Sequence, residues 1–408
     1  MKIIHTSDWH LGHVLYGHTR DAEQRDFLNQ LKNIVADEQP DALIVSGDIF
    51  DRAVPSNAAQ KMYCDAMLKM HQVCPTMKII ITAGNHDSKS LLEINRDLWH
   101  LANVTMVGQV ERHEGEVLLS RHIVEVKRGD CVVGYVVAVP HIYEASYPAI
   151  TGADTPAQRR EMFHQALLDE VARRNTANLP VVMMAHLSLT NSSFKGHGES
   201  IGGMMAESVD SNTLGQGFDY LALGHIHCPQ TMECNNAIAR YCGTPIAVSF
   251  DEDYAHSVSV VTLESGETPT IVTHEIHNLV PLLTIPQNPA SFEDAIKELE
   301  MLPNDVKGYI RLNVLKDAPL PPNRSERISR CMESKQSEFC TIQLVDIQQD
   351  EKNDESMLVA GTLEEFQNLS PMHIADAYYR NKYNAPLPDD IAQMLRQVIE
   401  QLETEKHA

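Results

Sequence analysis

The sequence predicts an α/β fold, and three observations lead there. Short apolar runs alternate with amphipathic stretches through the first hundred residues. From about residue 104 to 139 the pattern turns β-rich. At about residue 279 the texture changes to a β-α-β-α-β series that suits a small separate α+β module. With 408 residues, 43% hydrophobic, 22% charged and 6% aromatic, the chain has the composition of a globular protein of two or three domains.

The elements follow in order. "MKIIHTS" reads as a strand, and "RDAEQRDFLNQLKNIVADEQ" as a helix, with Phe27, Leu28, Leu31, Ile34 and Val35 spaced for one face. "DALIVSGD" is the next strand. "SNAAQKMYCDAMLKMHQV" is the next helix, with Ser56 as its cap just after Pro55. "MKIIITAGN" is a strand and "SKSLLEINRDLWHLA" one helix. "HIVEVKRG" and "CVVGYVVAVP" pair around a turn at Gly129, and "PAQRREMFHQALLDEVARRN" is a helix leading to the strand "LPVVMMAHLS". Residues 188–213, rich in Gly, Ser and Asn, form a long loop. "DYLALGHIH", "AIARYCGTPIAVSF", "SVSVVTLES" and "TPTIVTHEI" are mostly strands. After the module, the acidic bridge "QQDEKNDES" leads to a helical tail. The boundaries expected are 1–278, 279–350 and 351–408.

The formal net charge of −23 argues against a generic nucleic-acid coat protein, since phosphate-backbone binding rests largely on basic patches. Work on nucleic acid then needs metal ions, a local basic patch, or a partner that supplies positive surface. Eight scattered cysteines make no CxxC pair and read as reduced thiols. No apolar run approaches the roughly 20 residues of a membrane span. The chain is strand-like from Lys2, leaving no room for a signal peptide, so the cytoplasm is the expected compartment.

Five apolar strands end in Asp, Asn or His. These are Asp8 and His10 in "TSDWHLG", Asp48 and Asp51 in "SGDIFD", Asn85 and His86 in "AGNHDS", His186 in "MMAHLS", and His225 with His227 in "LALGHIHCP". Ligands of α/β folds bind beyond the carboxyl ends of strands, so these residues can converge on one cleft. Oxygen and imidazole without thiolate suit Mn2+, Mg2+, Fe2+ or Zn2+. The donors are too many for one tetrahedral ion and enough for two, and a bridging carboxylate can hold a pair of ions about 3.5–4 Å apart. The i, i+2 spacing of His225 and His227 by itself suggests a clasp on one ion.

Each piece alone is weak; the ordered set D-x-H, GDxxD, GNHD, H and GHxH is not. It resembles the calcineurin-like metallophosphoesterase superfamily, whose fold is a two-sheet sandwich flanked by helices. "IIHTSDWHLG", "GDIFD", "AGNHDS", "GHIH" and "YCGTPIAVSFDE" resemble more closely the branch of SbcD-type nuclease subunits and their archaeal and eukaryotic break-repair relatives. The last stretch carries no metal ligand and so points to the branch. The resemblance spans residues 1 to about 275, with the small module as a capping domain.

The resemblance implies one metal held by Asp8, His10, Asp48 and His227, and a second by Asp48, Asn85, His186 and His225, with Asp48 bridging. It makes His86 the catalytic histidine and Asp51 the residue that orients it. It places His225 and His227 on separate ions, which requires a bend expected at Gly224. Ala185 stands where many relatives have Gly. The implied activity is that of a DNA nuclease using two divalent ions, Mn2+ being the family expectation. It acts as exonuclease on double-stranded ends and endonuclease on hairpins and single strands, in DNA repair, recombination and replication. The implied partners are an SbcC-type coiled-coil ATPase and a second copy of this chain, giving a heterotetramer. A metallophosphoesterase acting on small phosphomono- or diesters is the alternative reading.

In the tail, Met372, Ile374, Ala375, Tyr378 and Tyr379 form one apolar stripe, and Ile391, Met394, Leu395, Val398 and Leu402 another. These stripes suit docking on the ATPase, with Tyr378, Tyr379, Leu395 and Val398 as the expected contacts. His5 reads as a packed strand histidine, and His13 and His18 as loop residues. "FKGHGES" reads as a loop rather than a phosphate cradle, since no strand feeds it. Lys195 and Arg52 are candidates for backbone contact with DNA. Arg159, Arg160, Arg173 and Arg174 read as solvated helix faces.

Overall fold

The computed structural model describes residues 1–197, 207–316 and 318–346, and in the tail 372, 379, 387–388 and 391–396. Two six-stranded sheets dominate. The first runs in the order Thr270–Glu275, Ser257–Thr262, Lys2–Thr6, Ala42–Ser46, Lys78–Thr82, Val104–Val107. The second runs Gln230–Cys234, Ala237–Tyr241, Tyr220–Gly224, Val181–His186, Cys131–Ala138, Ile123–Arg128. Both are mixed: Lys2–Thr6 pairs parallel with Ala42–Ser46 and antiparallel with Ser257–Thr262. Val181–His186 is parallel to both its neighbours.

The sequence shows why the sheets stack. "ALIVS" and "VVMMAH" are buried at every position, which a strand achieves only when both its faces are covered. Ile3, Ile44 and Ile80 of the first sheet meet Val136, Val182 and Ala222 of the second in one core between them. The outer face of the first sheet packs Phe27, Leu31 and Val35 of helix Asp21–Glu38 and Met62, Ala66 and Met70 of helix Asn57–Val73. Phe163, Leu167 and Val171 of helix Pro156–Arg174 cover the second. That helix opens on a Thr155–Gln158 capping box, and Ser56 caps Asn57–Val73 by accepting from Ala59 N.

Several local expectations need correction. The single helix expected over residues 88–102 is two short ones, Lys89–Glu93 and Arg96–His100, broken where Asn95 leaves helical dihedrals (φ −117°, ψ 23°). The strand expected over 237–250 stops at Tyr241, because Gly243 turns the chain at φ +76° ahead of Pro245. Gln230–Cys234 is a strand the apolar pattern missed. It forms a hairpin with Ala237–Tyr241 around Asn235 and Asn236, both at positive φ. Arg160 is not on a solvated face: it is buried, donates to Thr213 Oγ1 at 2.9 Å and lies over the Tyr147 ring. His5 is a packed residue as expected, meeting Tyr220 Oη at 2.9 Å.

The chain divides into two compact units, one of residues 1–284, 302–311 and 332–341, the other of 285–301, 312–331 and 342–408. Strands Leu282–Ala290, Tyr309–Leu315 and Glu338–Val345 make a third sheet in that order. In the second unit helix Phe292–Met301 buries Phe292, Ala295, Ile296 and Leu299, and helix Arg324–Met332 buries Ile328. Of the tail contacts expected, Tyr378 and Val398 lie outside the described residues, whereas Tyr379 and Leu395 are half-buried. Among the described residues no disulfide joins any of the eight cysteines, and no helix is long and apolar enough to cross a membrane.

Candidate metal centre

The candidate residues sit where strands end. Asp8 and His10 follow Lys2–Thr6, Asp48 follows Ala42–Ser46, Asn85 and His86 follow Lys78–Thr82, His186 closes Val181–His186, and His225 follows Tyr220–Gly224. The chain turns sharply at four of them. Asp8 (φ 52°), His10 (44°), Asp48 (51°) and His225 (94°) all adopt positive φ, which L-residues rarely do and which clusters at functional sites. The bend that separates His225 from His227 is therefore at His225 itself, not at Gly224. Gly224 is needed for close approach: a Cβ there would stand 2.0 Å from Ser46 O. Gly84 and Gly47 serve likewise, with a Cβ 2.0 Å from Asp48 Oδ1 and 2.1 Å from His186 Nδ1 respectively.

Among the described residues, donor atoms of Asp8, His10 and His227 lie mutually within 4.8 Å, as do those of Asp8, Asp48 and His186 and those of His10, Asp51 and His86. Asp48 Oδ2 is 3.3 Å from His186 Nε2 and 3.9 Å from His10 Nε2, so its carboxylate stands between the two sides of the centre. On the second side Asn85 Oδ1 is 3.0 Å from His186 Nε2 and 2.9 Å from His225 Nδ1. Asp8 anchors the His225 turn, accepting from His225 N at 3.0 and 3.2 Å.

His86 is exposed at the rim. Its backbone N–H donates to Asp48 Oδ1 (2.9 Å) and its Nδ1–H to the carbonyl oxygen of Asp51 (2.8 Å). The contact between Asp51 and His86 thus runs through the backbone. The Asp51 carboxylate instead lies 3.6 Å from His10 Nδ1.

The electrostatics are those of a site built for positive charge. Burial pushes His10 and His186 down, but Asp51, Asp48 and Asp8 around His10, and Asp48 and Asp8 around His186, hold both imidazoles at about 9. Burial also opposes ionisation of Asp48, yet His186, His10 and His86 keep its carboxyl far below the usual range. His225 is held well below its ordinary value by burial and by His186. His10 Nε2 is buried with no hydrogen-bond partner among the described residues, 3.9 Å from Asp48 Oδ2. Carboxylate, amide and imidazole donors converge there without a thiolate, a set that fits divalent ions of the Mg2+–Zn2+ range.

Sequence reasoning missed the residues that aim the donors. His227 Nδ1–H donates to Glu252 Oε1 at 2.8 Å, and Thr244 Oγ1 donates to Glu252 Oε2 at 2.6 Å. Both belong to "YCGTPIAVSFDE", whose role as a brace on His227 was the unread content of that stretch. His186 Nδ1–H donates to Ser46 O (2.8 Å), leaving Nε2 toward the centre. Gln24 accepts from Gly12 N and donates to His10 O, both at 2.9 Å, and so clamps the D-x-H loop. Asp87, the last residue of GNHD, accepts from Ile49 N, Phe50 N and Gly84 N at 2.9–3.1 Å and ties two ligand loops together. Burial and neighbouring Asp48 push it up to about 6. Among the weaker candidates, Lys195 pairs with Asp253 (2.8 Å), His18 meets Phe339 O (3.2 Å), and Arg52 is exposed beside Asp51.

Comparison with known proteins agrees with this geometry. Residues 1–229 match the family model of calcineurin-like phosphoesterases. The chain is similar to the SbcD subunit of the SbcCD nuclease of Rhodobacter capsulatus, 33% identical over 319 residues, covering 74% of this chain and 76% of that one. It is 27% identical over 325 residues to the SbcD protein of Escherichia coli K12, covering 78% of each. With the SbcD protein of Bacillus subtilis it shares 30% over 278 residues, covering 66% and 68%. The chain belongs to the calcineurin-like phosphoesterase family and, within it, to the SbcD-type nuclease subunits.

Proposed function

We propose that the protein is a DNA nuclease that hydrolyses phosphodiesters with two divalent ions, Mn2+ first among the candidates, as exonuclease on double-stranded ends and endonuclease on hairpins and single strands. The observation that carries this reading is the Asp48 carboxylate, set between a group of Asp8, His10 and His227 and a group of Asn85, His186 and His225. Asp8, His10, Asp48 and His227 would hold one ion, and Asp48, Asn85, His186 and His225 the other. When bound, the ions supply Lewis-acid charge and an acidified water for attack on phosphorus.

The chain's own residues do the rest. Ser46 O, the Asp51 carbonyl and Glu252 each hold a ring nitrogen, fixing which nitrogen of His186, His86 and His227 faces inward. With Nδ1 so held, His86 presents Nε2 at the open rim, in reach of a leaving sugar oxygen, and delivers a proton there. An exposed catalytic histidine suits a polymer that lies across the site better than a small ester enclosed in it.

The partners follow from the same reading: an SbcC-type ATPase docked on the 351–408 tail, with its basic surface offsetting the chain's net charge of −23. Residues 1–278 are then the nuclease domain and 279–350 the cap. A second copy of the chain would bind through helices Lys89–Glu93 and Arg96–His100, around which Ile94, Leu98 and Leu101 stand 72%, 68% and 81% exposed. Cleavage of end-labelled hairpin DNA with Mn2+, with and without the ATPase, tests the function. Hydrolysis of small phosphate esters without any cleavage of DNA would favour the alternative reading.

A further inference from the structure

Beside the centre lies a cavity of about 230 Å³, walled by His141, Tyr143, Tyr147, Arg160, Ser188 and the candidate ligand His225, among others. Two of its lining residues carry a buried polar atom, His141 Nε2 and Ser188 Oγ, with no hydrogen-bond partner among the described residues. Each costs free energy unless something supplies one. His141 is rigidly placed. Its backbone N–H donates to Ala83 O (2.7 Å) and its Nδ1–H to His186 O (3.1 Å), so its Nε2 lone pair is an acceptor. Its ring lies nearly parallel to that of His225, 6.4 Å away at 26°.

An aromatic platform completes the cavity. Tyr143 is 55% exposed, its ring perpendicular to that of His141 with centres 4.7 Å apart, and Lys89 Nζ stands over one face, 5.4 Å from its centre. Lys89 is three residues beyond His86, the histidine assigned to the leaving oxygen. A half-exposed aromatic ring with a cation over one face, a buried acceptor and a buried hydroxyl together match a base with its adjoining phosphate. The volume is below the roughly 300–1,000 Å³ of drug-sized sites and suits a single base.

We propose that this cavity seats the nucleobase next to the scissile phosphate, stacked on Tyr143 and hydrogen-bonded by His141 Nε2 and Ser188 Oγ. The proposal rests on the reading of the centre as a DNA phosphodiesterase, and it adds that cleavage is aided by a base splayed out of its stack.

The full chain with Mn2+ is assayed on short single-stranded oligonucleotides, natural or with one abasic tetrahydrofuran residue on either side of the cleaved bond. Removing the base on one side is expected to lower kcat/KM about ten-fold, in line with one lost stack. Tyr143→Ala and Ser188→Ala lose several-fold on the natural strand, mainly in KM, and lose no more when that base is already missing. Calorimetry with 5′-deoxyadenosine monophosphate gives a weaker Kd for both variants. Losses equal on natural and abasic strands, or rates blind to the missing base, overturn the seat while leaving the nuclease reading intact. A wild-type chain that cleaves small diesters but no oligonucleotide overturns that reading, and the seat with it.

Discussion

Glu252 accepts a 2.8 Å hydrogen bond from His227 Nδ1 and is itself held by Thr244, so a buried carboxylate fixes which nitrogen of His227 faces the centre. Such braces typically carry about 10–100-fold in metal affinity. Glu252→Gln is expected to weaken one of two binding steps in a metal titration by about that factor, and Thr244→Val by less. Two unchanged steps in Glu252→Gln would show that His227 needs no brace.

Asp48 and His86 should separate cleanly. Asp48→Ala removes the carboxylate between the two sides and is expected to leave fewer than two ions per chain, measured by elemental analysis after dialysis. His86→Ala keeps the backbone N–H donated to Asp48 Oδ1 and loses the ring, which packs on His10 at 4.9 Å and is not assigned to either ion, so both ions are expected to be retained while cleavage falls about 10²–10⁴-fold.

Gly84→Ala tests the close approach of the ligand loops. A Cβ would stand 2.0 Å from Asp48 Oδ1, and relieving that clash is expected to cost at least about 1–3 kcal/mol and to displace Asp48. A lower Tm together with lost metal binding is the expected pair of results; a stable, fully loaded variant would contradict it.

Acid should unfold the protein partly through a histidine that is not among the candidate ligands. His164 is buried on helix Pro156–Arg174, donates Nδ1–H to Thr213 O and is pushed down to about 3 by burial. Unfolded, the same group takes a proton at about 6.5. Stability is therefore full above pH 6.5 and falls as the pH drops from there toward 3, because the unfolded chain binds the proton first. His164→Asn, whose amide can still donate to Thr213 O, should flatten part of that decline in Tm.

Deleting residues from about 355 is expected to abolish binding of the SbcC-type ATPase while leaving the metal content unchanged. Undiminished affinity of the truncated chain would remove the tail from the interface.

The candidate site residues were legible in sequence because each is a polar residue ending an apolar run, and the run dictates a buried strand. The structure brings Asp8, His10, Asp48, Asn85, His86, His186, His225 and His227 to one cleft. The two-sheet stack followed from the resemblance, since continuous burial in "ALIVS" and "VVMMAH" does not say which sheet each joins. What stayed hidden is what depends on backbone dihedrals and long-range contacts. Strand periodicity at "LALGHIH" gives no sign that the turn falls at His225, with φ 94°. Nor does it show Glu252 reaching back 25 residues to His227. Arg160 looked solvated beside Arg159, and only the fold brings Thr213 and Tyr147 to it.

The central claim is that this centre cleaves DNA with His86 delivering the proton. Its most direct test is digestion of end-labelled hairpin DNA with Mn2+ by wild-type and His86→Ala proteins of equal measured metal content. Cleavage by the wild type and loss of at least about 10²-fold in the variant are predicted. Equal rates in the two proteins would contradict the account.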